Sequence, residues 1–238
     1  SMVGWQAALL WLALGIALII PLAAAVTGTS ERGGGVEQSL RQALGEAMRT
    51  PSFHYLFWSF FVCGFQTAFI MLHLPAFVVD SGMSANIGMT AVALIGLFNI
   101  FGSFLSGWLG GCYSKKGLLA GIYALRIVAI LALLLFPLSQ LTLYLFAAVM
   151  GLLWLGTVPL TSGLVGHIFG LRYMGMLYGI VFLGHQIGGF LGAWLGGRIF
   201  DLSGSYLMAW WLSIALSVMA AALSLPVREA PLLRTAAR

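Results

Sequence analysis

The stretch FLSGWLGG at residues 104–111 returns as FLGAWLGG at 190–197, with six of eight letters unchanged, 86 positions downstream. In register, Gly102, Ser106 and Gly110 fall on Gly188, Gly192 and Gly196. One position on, Ser103, Gly107 and Gly111 fall on Gly189, Ala193 and Gly197. Each triplet steps by four residues, so each copy, read as a helix, carries two neighbouring stripes of small side chains. Such stripes let membrane helices approach closely and pack by van der Waals contact.

The composition places those helices in a bilayer. The chain of 238 residues is 61% hydrophobic and only 7% charged. Soluble domains carry about 25% charged residues, and this deficit is spread over nearly the whole length. A bilayer core requires roughly 20 apolar residues per spanning helix. Seven such spans can be marked, at 3–26, 53–79, 85–111, 118–136, 141–166, 173–197 and 206–226. The runs are long and unbroken, which favours helices over the short alternating strands of a closed barrel.

The charges orient the spans. Arg32, Arg41 and Arg49 lie in the loop 27–52, Lys115 and Lys116 in 112–117, Arg172 before the sixth span, and Arg228, Arg234 and Arg238 in the tail. Against these nine cations the opposite side has Arg198 alone. The positive-inside rule makes the nine-cation side cytoplasmic, with Ser1 outside and Arg238 inside. The net charge of +5 is therefore a topology signal and does not mark a nucleic-acid partner. The first span has no basic region before it and outruns a signal-peptide core, so it reads as a stable helix. A chain that starts outside without an initiator Met leads this reading to expect further sequence upstream.

The loop 27–52 opens on the flexible stretch TGTSERGGG. In VEQSLRQALGEAMRT, Val36, Leu40, Leu44, Ala47 and Met48 share one helical face, and Glu37 and Arg41 form an i,i+4 pair. Pro51 ends the pattern. The segment is expected to be an amphipathic helix on the cytoplasmic face. The expected organisation is a first span at 1–26, this linker at 27–52, a six-helix bundle at 53–226 and a cytoplasmic tail at 227–238.

Within the last six spans the repeated phrase occupies the middle of each consecutive triplet. Equivalent spans then cross the membrane in opposite directions, which is the pattern of a 3+3 inverted-topology repeat in secondary transporters. The expected fold is all-α and integral to the membrane, with seven transmembrane helices, the last six forming two inverted three-helix repeats.

This arrangement resembles the second half of a major facilitator superfamily transporter. The loop GWLGGCYSKKG, residues 107–117, sits where that family places Gly-x-x-x-Asp-Arg-x-Gly-Arg-Lys. Gly107, Gly111, Lys115, Lys116 and Gly117 resemble the signature, but its acidic residue is absent. The stretches FQTAFIMLHLPAFVVDSGMS (65–84) and FLGHQIGGFLGAWLGGRIFDLSGSY (182–206) resemble bacterial relatives of monocarboxylate transporters. The resemblance covers nearly the whole chain, as the sixth span, linker and spans seven to twelve of a twelve-span carrier. It implies a bacterial inner membrane and a partner: an N-terminal half-bundle or a second copy.

Polar side chains within spans are costly in lipid and mark candidate sites. Arg126 lies about eight residues into its span, roughly 12 Å deep at 1.5 Å per residue. It would serve as counter-charge to an anionic solute, or bond carbonyls of a neighbouring helix, or snorkel. Gln66 and His73 are seven residues apart and share a face. The resemblance implies that their span lines the cavity, where His73 could hold a carboxylate or relay a proton. His185 and Gln186 lie mid-span, and the offset of 86 pairs His185 with Asn99. Symmetry-related polar groups at one depth are expected near a midplane site, and helix–helix hydrogen bonding is the alternative for them. Thr157 and Thr161 are weaker candidates, since Thr can bond its own helix. Trp154 could shape the cavity or simply pack. Cys63 and Cys112 read as small buried or interfacial residues, His54 and His167 as interfacial.

All six acids, Glu31, Glu37, Glu46, Asp80, Asp201 and Glu229, fall at span ends or outside. That disfavours a cationic substrate. No metal spacing, phosphate loop or nucleophile–base cluster appears, so neither enzyme nor cofactor is expected. The expectation is a secondary transporter of a small organic solute, with an anion such as a monocarboxylate preferred. A multidrug or sugar carrier of the same superfamily and a non-transporting packing module are the alternatives.

Overall fold

The computed structural model describes residues 5–17, 21 and 38–232. Two units divide at Glu37. In the first unit, α1 (Trp5–Ala17) is an apolar helix of 13 residues. It is the described part of the first expected span. Val36, Glu37, the stretch 27–35 and the end of the tail lie outside the described residues.

The second unit opens with α2 (Leu40–Arg49). Its start is closed by a capping box: Ser39 Oγ accepts from the Gln42 amide, and the Gln42 side chain accepts from the Ser39 amide. Only Ala43 and Ala47 of α2 are buried, while Leu40, Leu44 and Met48 remain exposed. Six helical stretches long and apolar enough to cross a membrane follow. They are α3 (Pro51–Asp80), α4 (Ala85–Cys112), α5 (Lys115–Leu135), the pair α6 (Gln140–Leu153) and α7 (Thr157–Phe169), α8 (Met174–Ser203) and α9 (Leu207–Ser224). No strand occurs among the described residues.

The packing has the pseudo-two-fold character of the repeat. The two broadest helix contacts are α3 with α8 and α4 with α6, followed by α5 with α9. Exchanging the triplets converts the first contact into the second and returns the third to itself. The small-residue stripes make the first two possible. An added Cβ at Gly188 or Gly192 would stand 2.0 and 2.1 Å from the carbonyl oxygens of Phe61 and Phe65 on α3. At Gly102 it would stand 2.0 Å from the Leu152 carbonyl oxygen on α6. Only one of the two stripes is packed in this way. Gly107 and Gly111, on the other, stay exposed.

The fold differs from the expectation of unbroken spans in one place. The fifth span is interrupted at 154–156, between α6 and α7. Pro159 lacks the amide that would bond the Leu155 carbonyl in a continuous helix. Flanking Gly151 and Gly156 weaken the helix further. The apolar core is correspondingly divided. One buried cluster gathers Phe53, Phe60, Leu119, Leu164 and Val227, and the other Phe69, Ile95, Met150 and Trp210. The break lies at the waist between them, with Leu153 in the first cluster and Trp154 in the second.

Candidate functional site

Four of the polar side chains singled out by sequence, Arg126, Gln66, Asn99 and Thr157, meet at or beside that break. Arg126 of α5 is fully buried. Its Nη2 donates to the carbonyl oxygen of Leu153 at 2.7 Å and also to that of Trp154. Its Nη1 donates to Gln66 Oε1 on α3 at 3.0 Å. The terminal carbonyls of α6 have lost their intrahelical donors at the interruption, and the guanidinium supplies replacements at the negative end of the helix dipole. The break is held from the other side by Asn99 of α4, whose Oδ1 accepts from the Leu155 amide at 3.1 Å.

The network extends across the bundle. Gln66 Nε2 donates to the Ser213 carbonyl at 3.0 Å and to Ser217 Oγ at 2.6 Å, both on α9. Thr157 Oγ1 lies 3.1 Å from Cys63 Sγ, and Arg126 Nη2 lies 3.8 Å from that sulfur. The Tyr123 ring sits 5.4 Å from the guanidinium carbon. Its hydroxyl donates to the Ser59 carbonyl at 2.5 Å. Spans two, three, four, five and seven of the sequence reading therefore meet at one waist.

His185 and Asn99, paired by the repeat, occupy corresponding places: His185 faces α3 as Asn99 faces α6–α7. Their bonding differs. Both ring nitrogens of His185 are buried without a hydrogen-bond partner. The ring lies between Phe60 and Phe182, at 4.9 and 5.2 Å, close enough to Cys63 to interact with it. His73 is separate, two turns further along α3. Its Nε2 pairs with the Ala193 carbonyl at 2.9 Å, and its ring stands 5.4 Å from Tyr206. Gln186 is exposed on the outside of α8. Thr161 is buried with its hydroxyl unpaired.

Sequence reasoning passed over Cys63, Tyr123, Ser213 and Ser217. Cys63 is fully buried but polar in its contacts. One signal was present: Gln66, Cys63 and Ser59 recur at three- and four-residue steps on α3. No group of three or more His, Cys, Asp or Glu able to hold a metal occurs among the described residues. No described carboxylate lies mid-span. Arg126 is thus surrounded by carbonyl and amide oxygens and the Cys63 sulfur.

The sequence model of the Major Facilitator Superfamily matches residues 1–193. The chain belongs to this superfamily. It is 31% identical over 185 residues to an uncharacterized MFS-type transporter, YcxA, of Bacillus subtilis (strain 168), covering 76% of this chain and 44% of that protein. Its fold matches the MFS transporter FucP in an outward conformation with a TM-score of 0.68 at 18% identity, over 90% of this chain and 52% of FucP. A second FucP structure, that of a variant of the E. coli fucose:proton symporter, gives 0.67 at 18%, over 90% and 53%. The chain spans about half the length of these relatives. Their likeness agrees with an integral membrane bundle of half-carrier size.

Proposed function

We propose that this chain is the second half of a secondary active transporter that moves a small organic anion, such as a monocarboxylate, by alternating access. The observation that carries the reading is Arg126: a buried guanidinium beside an interrupted membrane helix, with no mid-span carboxylate among the described residues to neutralise it. Interrupted spans near the midplane are where inverted-repeat carriers place their solutes. A fixed cation there favours an anionic solute and opposes a cationic one. Gln66, Asn99, Thr157, His185 and His73 are the further candidate contacts, and Gln186 on the outer surface is the weakest. The ring of His185, held between Phe60 and Phe182 beside Cys63, supplies a further polar group at this depth. The proposed function involves no cofactor, no enzymatic step and no nucleic acid.

The other half of the cavity comes from an N-terminal half-bundle or from a second copy of this chain. The carrier sits in a bacterial inner membrane with the Lys115–Lys116 loop cytoplasmic. A neutral solute such as a sugar is the second reading. The observation favouring it is that both Nη atoms of Arg126 are already taken by protein oxygens, while the fold neighbour is named for a sugar. Calorimetry on the assembled carrier separates the two. The anion reading expects heat on titration with L-lactate and none with L-fucose. The reverse pattern would replace it with the sugar reading, and silence with both would leave the packing module.

A further inference from the structure

The loop 113–117 resembles a signature whose acidic member it lacks, yet a carboxylate is present there. Glu229, on the segment after α9, reaches the start of α5. Its Oε1 accepts from Ser114 Oγ at 3.2 Å and from the Lys116 amide. Ser114 Oγ in turn accepts from the Gly117 amide at 3.2 Å. An anion at these orphan amides is favoured by their partial positive charge.

The segment that carries Glu229 is tied down along its length. The Arg228 amide donates to Ser52 Oγ at the start of α3, at 3.0 Å. His167 Nε2, near the end of α7, donates to the Glu229 carbonyl at 2.9 Å. The Leu232 amide donates to the Ile168 carbonyl at 3.0 Å. Val227 is fully buried in the apolar cluster containing Phe53, Leu119 and Ile168. Residues 226–232 thus cross one end of the bundle and bond three helix ends drawn from both triplets: α3 and α5 from the first, α7 from the second.

We propose that Glu229 supplies from the tail the carboxylate that the loop lacks. It acts as a positioning residue: by capping α5 it anchors a strap that holds the ends of α3, α5 and α7 together. The contacts stand by themselves. Their meaning for transport rests on the alternating-access reading, because this is an end of the bundle that would have to open and close.

The test is amide hydrogen exchange on the full chain in nanodiscs, read at 114–118, 166–170 and 226–232. Glu229→Ala is expected to raise exchange in all three by at least about ten-fold, while mid-span amides stay protected. Glu229→Asp is expected to restore much of that protection. Adding Ser114→Asp to Glu229→Ala, which returns a carboxylate to the loop itself, is expected to restore 114–118 and leave the other two segments loose. Should Glu229→Ala loosen the whole bundle, Leu232→Pro decides instead. It removes the bond to Ile168 while keeping the carboxylate, and is expected to loosen 166–170 but not 114–118. Unchanged exchange at 114–118 and 166–170 in Glu229→Ala, or at 166–170 in Leu232→Pro, would overturn the proposal. None of these outcomes depends on the transported solute, so they leave the anion reading to its own test.

Discussion

A guanidinium sealed inside a membrane bundle has to find acceptors within the protein, because hydrocarbon offers none. Arg126 finds them where α6 ends, and in doing so satisfies carbonyls that would otherwise be orphaned. Charge and break therefore support each other. Replacing Arg126 by Gln leaves Gln66 Oε1 and the Leu153 and Trp154 carbonyls short of donors, with an expected loss of about 3 kcal/mol. Replacing it by Lys keeps the charge but not the fork that reaches Gln66 and the carbonyls together, so a smaller loss is expected. Thermal unfolding in detergent checks both: the expected order of melting temperature is wild type, then Lys, then Gln. Equal melting temperatures would mean that the guanidinium does not hold the break. At this scale the sequence was informative about which polar residues lie within spans. Arg126, Gln66, Asn99 and Thr157 stood out as polar letters in apolar runs. Their common meeting place was hidden, since four different spans supply them and only the folded bundle brings them together.

The repeated phrase decides how the helices fit. A strip of backbone free of Cβ atoms lets α8 lie against α3 with carbonyl oxygens where side chains would otherwise stand, and α4 does the same against α6. Gly192→Val would drive a branched side chain into the Phe65 carbonyl, and an expected cost of about 1–3 kcal/mol or more follows from overpacking. Gly107→Ala is the matched control, because its new methyl would meet nothing nearer than Pro159 Cβ at 3.9 Å. Denaturant unfolding of the two variants checks the contrast, and a Gly107→Ala loss as large as that of Gly192→Val would contradict the assignment of the packed stripe. The sequence showed two stripes per helix and could not choose between them, because both have the same spacing. It also contained the ingredients of the broken span, Gly151, Gly156 and Pro159, inside an apolar run whose continuity concealed them. The amphipathic pattern over α2 was legible, but the residues that pack inward are Ala43 and Ala47. The larger Leu40, Leu44 and Met48 turn outward, where a bilayer surface can take them.

For the whole molecule, composition made the membrane legible, and the 86-residue offset made the pairing of triplets legible. The same offset carries information about what lies outside. Phe104 and Trp108 are 80% and 60% exposed, and their repeat equivalents Phe190 and Trp194 are 66% and 54% exposed. Each repeat helix thus turns small residues inward and an aromatic ridge outward. Two such ridges at symmetry-related places suit lipid or the flanks of a second bundle, and the relatives are about twice as long as this chain. The solute was the least legible part of the reading, because the chain spans only about half the length of its relatives. The most direct measurement is counterflow in proteoliposomes holding the assembled carrier, preloaded with unlabelled L-lactate and diluted into a trace of labelled L-lactate. An anion carrier that alternates access is predicted to accumulate label transiently above equilibrium, and liposomes containing this chain alone are predicted not to. Absence of any overshoot with L-lactate, alongside an overshoot when L-fucose replaces it on both sides, would contradict the account of Arg126 as the charge that selects the solute.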